Sequence, residues 1–68
     1  MANKKDHSKA ATTLEAGAEE AIRKGDLVMA EIRMRAAKKC WVDAGNWVSA
    51  YRTEALADVI QLKVRGIP

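Results

Sequence analysis

Two glycine-containing turns divide this chain into helices. In each turn a glycine is followed at once by a residue that can begin a helix: Gly25 by Asp26, and Gly45 by Asn46. Glycine readily adopts the left-handed conformation that ends a helix, and the side chains of aspartate and asparagine cap the helix that follows. The two turns therefore predict two tight helical hairpins in succession, and so three helices.

The predicted fold class is all-α, a small three-helix protein built on a helical hairpin. The expected helices lie at about residues 10–24, 27–42 and 47–65. Gly66 can end the last helix, and Pro68 cannot continue it. No β-branched residues alternate with polar ones as in a strand, so no strand is predicted. Because 68 residues support one core at most, residues 10–68 are expected to form a single helical domain.

The sequence allows the first helix to begin at any of several positions. Residues 1–9 are polar and lack apolar periodicity, so they are predicted to be a flexible N-terminal lead-in. Asp6 or Ser8 can begin the helix. Thr12 can also begin it, because Glu15 follows three residues later, as a capping box requires.

The first turn and the residues after it resemble part of a known repeat. The match to the turn and second helix of a tetratricopeptide repeat, a helical-hairpin module for protein recognition, rests on Gly25, Asp26, Ala30, Met34 and Ala37. It covers about fourteen of the 68 residues. Gly17 and Ala21 stand where the repeat has large residues, and Val42 stands where it has a proline. The resemblance implies a shared hairpin pattern and not membership of the family.

The second and third helices each carry two apolar faces. On the second helix a narrow stripe contains Leu27, Ala30, Met34, Ala37 and Trp41, and a second band contains Met29, Ile32, Ala36 and Cys40. On the third helix the expected main stripe is Val48, Tyr51, Ala55, Val59 and Leu62, and a second group is Leu56, Ala57, Ile60 and Val64. Three short helices have barely enough surface to cover one stripe each, so the second stripes predict burial against another chain. The alternative is that they are small or half-exposed surface groups.

The three aromatic residues, Trp41, Trp47 and Tyr51, lie around the second turn. Two of them are expected to close the hairpin, with Trp41 and Trp47 packing across the turn. The third is expected to be exposed, where it would anchor a partner. The pattern does not decide which one that is.

Catalysis and cofactor binding are not expected. His7 falls in the predicted lead-in, and Cys40 falls on an apolar band, where a small buried hydrophobe is the usual role. Cys40 is also the only cysteine, so no intramolecular disulfide can form, and it does not give a zinc-site spacing with His7. The protein is therefore predicted to be no enzyme and to hold no metal or cofactor.

The basic residues support an alternative function. The chain has a net charge of +3 and a pI near 9.3. A nucleic-acid surface would use Arg33, Arg35, Lys38, Lys39, Lys63 and Arg65. A helix-turn-helix around Gly25 is disfavoured because Glu31 stands where an apolar residue should pack, and Glu31 is spaced to pair with Arg35.

The favoured function is protein binding. No apolar run approaches the ~18 residues of a membrane span, so no membrane association and a cytoplasmic location are expected. We expect a small non-enzymatic regulatory or adaptor protein, an inhibitor of a larger partner being one form, that also forms a homo-oligomer. The expected partner-binding residues are Met29, Ile32, Ala36, Leu56, Ile60, Val64 and Trp47.

Overall fold

The computed structural model describes residues 3–66 and folds them into three α-helices. The helices are α1 at Lys4–Arg23, α2 at Leu27–Asp43 and α3 at Trp47–Val64. Residues 3–66 contain no strand. The predicted all-α, three-helix class is confirmed, and the second and third helices lie close to their expected bounds.

α1 begins at Lys4 and not near residue 10. Asn3 caps it, because its side chain accepts a hydrogen bond from the backbone N–H of Asp6 at 3.0 Å, and the Asp6 carboxylate accepts one from the Asn3 N–H at 3.4 Å. The expected lead-in at 1–9 is therefore helical from Lys4 onward, while residues 1 and 2 lie outside the described part. A polar segment forms a helix here because a capping box needs no apolar residue.

The alternative start at Thr12 does not occur. Thr12 lies inside α1, where its hydroxyl donates to the carbonyl of Ser8 at 3.0 Å. Glu15 therefore does not cap the helix, and its carboxylate points instead toward the other two helices.

Both predicted turns form as expected. Gly25 and Gly45 have φ angles of 80° and 75°, in the left-handed region that favours glycine. The side chain of Asp26 then accepts from the N–H of Met29 at 3.0 Å, and that of Asn46 from the N–H of Ser49 at 3.1 Å. Each turn thus ends one helix and caps the next, and the chain doubles back twice.

α2 is the middle helix, and it packs against both α1 and α3. The backbones of α1 and α3 do not come close to each other. The molecule measures 39 × 20 × 14 Å, so it is long and thin. A thin layer of three helices leaves the outer side of each flanking helix exposed.

The core contains two clusters of mostly small side chains. One comprises Ala18, Ala21, Ala30, Met34, Ala57 and Ile60, and the other comprises Ala11, Trp41, Ala44 and Ala50. The narrow stripe predicted on α2 runs through both clusters, with Leu27 packed at its end. Small alanines allow the three helices to approach closely, so the core needs few large residues.

α3 packs with the opposite face to the one expected. Its buried residues are Ala50, Thr53, Ala57 and Ile60. The expected main stripe, Val48, Tyr51, Ala55, Val59 and Leu62, is exposed. The packed face is the one with small residues, because Ala50 and Ala57 let the α3 backbone approach α2, whereas a row of valine, tyrosine and leucine would hold it away.

The aromatic residues also differ from the expectation. Trp41 is buried between the helices, whereas Trp47 and Tyr51 are both exposed. Trp47 does not pack across the turn against Trp41. Its ring instead lies 6.4 Å from that of Tyr51, centroid to centroid, along the surface of α3.

Candidate protein-binding surface

The main exposed apolar surface is the outer face of α3. We call its five apolar residues, Val48, Tyr51, Ala55, Val59 and Leu62, the outer stripe. Their spacing of three, four, four and three residues places them on one side of the helix, roughly opposite the buried side. Val48 is 81% exposed and Tyr51 is 65% exposed. Such a stripe on a helix whose other side is already packed is typical of an interaction surface.

Exposed apolar residues are concentrated on this helix. Of the eleven large apolar residues exposed within residues 3–66, seven belong to α3. They are Trp47, Val48, Tyr51, Leu56, Val59, Leu62 and Val64. Most of the exposed large apolar residues are therefore on one helix.

A groove lies beside the outer stripe, between α1 and α3. Its volume is about 280 Å³, and its floor is formed by α2. It is lined by Glu19, Ile22, Leu27, Met34, Leu56, Val59, Ile60 and Lys63. Val59 belongs to both the groove and the stripe, so the two form one continuous apolar region. The charged residues that line the groove are Glu19 and Lys63.

Acidic and basic residues pair along the other edge of α3. Arg35 donates to Glu31 at 2.9 Å and to Asp58 at 3.2 Å, and Lys38 donates to Glu54 at 3.3 Å. The hydrogen bond that Arg35 donates to Glu31 is the largest cause of the raised pKa of Arg35. These pairs join α2 to α3 and largely neutralise this edge.

The predicted nucleic-acid residues do not form one basic surface. Arg33 donates to the carbonyl of Gly17 on α1 at 2.9 Å, and Arg35 and Lys38 pair with the acids described above. Lys39 is exposed on α2, Lys63 borders the groove, and Arg65 follows the end of α3. Three of the six cations are thus held by groups of the same chain, and of the other three, Lys39 lies on α2 while Lys63 and Arg65 lie at the end of α3.

The predicted partner-binding residues fall into three groups. Leu56, Val64 and Trp47 are exposed on α3, and Met29 and Ile32 are exposed on α2. Ala36 is half-buried, as is Cys40 in the same band. Ile60 is only 6% exposed and belongs to the core. As a core residue it reaches the surface only through the groove that it lines, so it offers a partner far less contact than the exposed residues of α3.

A polar cluster that the sequence did not predict joins all three helices. One oxygen of Glu15 on α1, Oε1, accepts hydrogen bonds from Trp41 Nε1 at 2.9 Å, Thr53 Oγ1 at 2.9 Å and Arg52 Nη2 at 3.2 Å. Burial acts to raise the pKa of Glu15, but the hydrogen bonds from Trp41, Thr53 and Arg52 together outweigh it, and the pKa lies below its ordinary value. The sequence does contain an indication of this cluster, because the charged Glu15 interrupts the row of small core-facing residues Ala11, Ala18 and Ala21.

The described residues offer little for catalysis. Within residues 3–66, no three His, Cys, Asp or Glu side chains come together as metal ligands would. His7 lies half-buried in α1 and Cys40 half-buried in α2. Over the same stretch no helix has both the length and the apolar composition that a membrane crossing needs.

Comparison with protein-family models, with curated proteins and with solved structures finds no match for this chain.

Proposed function

We propose that this protein is a small non-enzymatic adaptor or regulatory protein that acts in the cytoplasm by binding other proteins through the outer face of α3. The three helices act as one domain, and the chain also associates with itself. Inhibition of a larger partner is one way in which such a surface acts.

The observation that carries the proposal is the outer stripe. A helix that is apolar on two opposite sides has more apolar surface than its own chain covers, and contact with a second protein removes that surface from water.

Trp47 and Tyr51 favour a protein as the ligand. They lie together at the start of α3, both exposed, and continue into the stripe through Val48. Exposed tryptophan and tyrosine often contribute much of the binding energy of protein interfaces. The nucleic-acid alternative is less favoured, because Arg33, Arg35 and Lys38 are held within the chain.

The test compares two substitutions at exposed apolar positions. Tyr51→Glu places a charge in the outer stripe, and Val28→Glu places the same charge at an exposed position of a different helix, α2. Both variants should melt at nearly the wild-type temperature, because neither position is buried.

In affinity capture from extract of the source cells, wild type and Val28→Glu should retain the same proteins, while Tyr51→Glu should lose them. Equal capture by Tyr51→Glu and wild type would reject the proposal. A heparin column provides the second comparison, since the nucleic-acid alternative requires retention that falls steeply with salt.

A further inference from the structure

We infer that the outer stripe is the interface of a symmetric dimer in which the α3 helices of two copies lie side by side and parallel. The inference rests on the proposed function and names one partner for the same surface, a second copy of this chain.

The stripe is suited to pairing with itself. In a parallel two-fold arrangement each stripe residue meets the same residue of the other copy, so valine, tyrosine and leucine are covered by apolar groups along the full length. Ala55 lies at the midpoint of the stripe, where its small side chain lets the two helices approach. From Val48 to Leu62 the contact runs for about 21 Å at 1.5 Å per residue.

The residues that flank the stripe determine whether the two α3 helices run parallel or antiparallel. At about 100° per residue, Arg52 and Lys63 fall on one flank, and Trp47 and Asp58 fall on the other. All four are exposed, and the Asp58 side chain is 61% exposed. Arg35 contacts one oxygen of Asp58, and the carboxylate has a second oxygen for another cation.

In a parallel pair, the flank of one copy that carries Arg52 and Lys63 faces the flank of the other copy that carries Trp47 and Asp58. Asp58 then lies near the partner's Lys63, and Arg52 lies near the face of the partner's Trp47, each pair being five residues apart, as in parallel coiled helices. Each contact occurs twice because of the two-fold axis. In an antiparallel pair, like flanks meet, and Arg52 would lie near the partner's Lys63. Charge therefore favours the parallel pair.

The contact is short, so the dimer should be reversible. Standard stable interfaces bury about 800 Å² on each partner, more than one side of an 18-residue helix provides. We therefore expect dissociation on dilution and not a permanent dimer.

Cysteine cross-linking tests the direction. In a Cys40→Ser background, Val48→Cys alone and Leu62→Cys alone should each form covalent dimers under mild oxidation with oxidised glutathione. Val28→Cys, exposed on α2, should not. A mixture of Val48→Cys with Leu62→Cys in which only mixed dimers form would overturn the parallel arrangement, and no cross-linking at either position would overturn the dimer.

Exchanging the charges of Asp58 and Lys63 tests their proposed contact across the interface independently. Lys63→Asp should raise the dissociation constant of the dimer roughly fivefold, because two attractive contacts become repulsive. Asp58→Lys added to Lys63→Asp should bring the constant back toward wild type, with Asp58→Lys alone as the control for the lost contact with Arg35. If the dissociation constant of the double variant stayed as high as that of Lys63→Asp, the parallel arrangement would be contradicted.

The outcomes separate this inference from the proposed function. A chain that stays monomeric, while Tyr51→Glu still abolishes capture of other proteins, overturns the dimer and leaves the proposed function standing. A monomeric chain in which Tyr51→Glu changes no capture overturns both.

Discussion

Glu15 connects the three helices through one oxygen atom. Donors from α2 and α3 converge on its Oε1, although the backbones of α1 and α3 do not approach each other. The Thr53 hydroxyl oxygen lies 2.9 Å from Glu15 Oε1 and 2.6 Å from the carbonyl oxygen of Ser49, so the two acceptors share its single proton. Together with the N–H donors of Trp41 and Arg52, it favours the ionised carboxylate.

Removing the charge of Glu15 should therefore weaken the fold. Glu15→Gln keeps the size and one acceptor oxygen but replaces a charge-assisted contact with a neutral one, and we expect a loss of about 1–2 kcal/mol at pH 7. Denaturation with urea measures this loss in the free energy of unfolding. Glu20→Gln is the matched control, because Glu20 contacts only exposed Lys24 and should change stability little.

The lowered pKa of Glu15 predicts that the stability of the fold depends on pH. Because the folded-state pKa of Glu15 lies below its ordinary value of 4.5, its contribution to stability is complete above pH 4.5 and is lost as the pH falls through the folded-state pKa. The stability difference between wild type and Glu15→Gln should therefore shrink on acidification below pH 4.5. A difference that stays constant down to pH 2.5 would contradict the role of the charge.

Gly17 and Arg33 should be coupled. A Cβ at position 17 would lie 3.3 Å from Cδ of Arg33, whose guanidinium donates to the Gly17 carbonyl. Gly17→Ala gains up to about 1 kcal/mol of helix stability, but in wild type it also displaces Arg33. We expect Gly17→Ala to stabilise the Arg33→Ala background by about 0.5 kcal/mol more than wild type. Equal gains in the two backgrounds, by urea denaturation, would exclude the coupling.

At the scale of the helix, α3 shows where sequence patterns stop being decisive. The turns at Gly25 and Gly45 and the core stripe of α2 could be predicted, because glycine conformation and helical periodicity are local properties. α3 has two apolar sides, and hydrophobicity alone selects the side with the larger residues. The observed choice depends on the close approach of α2 at Ala50 and Ala57, and on Thr53 meeting Glu15. Those contacts are between helices, so the pattern of one helix does not contain them.

Only part of the exposed surface of α3 could be predicted from the sequence. Trp47, Leu56 and Val64 are exposed as a partner-binding role requires, but Ile60 is not. The outer stripe was recognised as apolar and was assigned to the core. Only the position of the other helices distinguishes the two sides.

Adjacent residues on α3 should separate folding from binding. Ile60→Asp buries a charge in the core, and we expect a loss of about 3 kcal/mol or more, enough to unfold much of a chain this small. Val59→Asp changes an exposed side chain and should stay within about 0.5 kcal/mol of wild type. Helical circular dichroism during thermal melting measures both. An Ile60→Asp variant as stable as Val59→Asp would contradict the assignment of the two faces.

At the scale of the molecule, a thin layer of helices explains why so much apolar surface remains outside. With α2 in the middle, each flanking helix can bury one side only, and α3 is apolar on both. The core is built from small side chains and the Glu15 cluster, so most large apolar residues of α3 remain exposed. We propose that this outer face binds a second copy of the chain and is not required for folding.

Sedimentation equilibrium over a dilution series tests that claim most directly. Wild type should show a mass near twice 7.5 kDa at high concentration, falling to 7.5 kDa on dilution, whereas Val59→Asp should remain near 7.5 kDa throughout with its helical content unchanged. A wild-type mass of 7.5 kDa at every concentration, or a Val59→Asp variant that associates as wild type does, would contradict self-association through the outer face of α3.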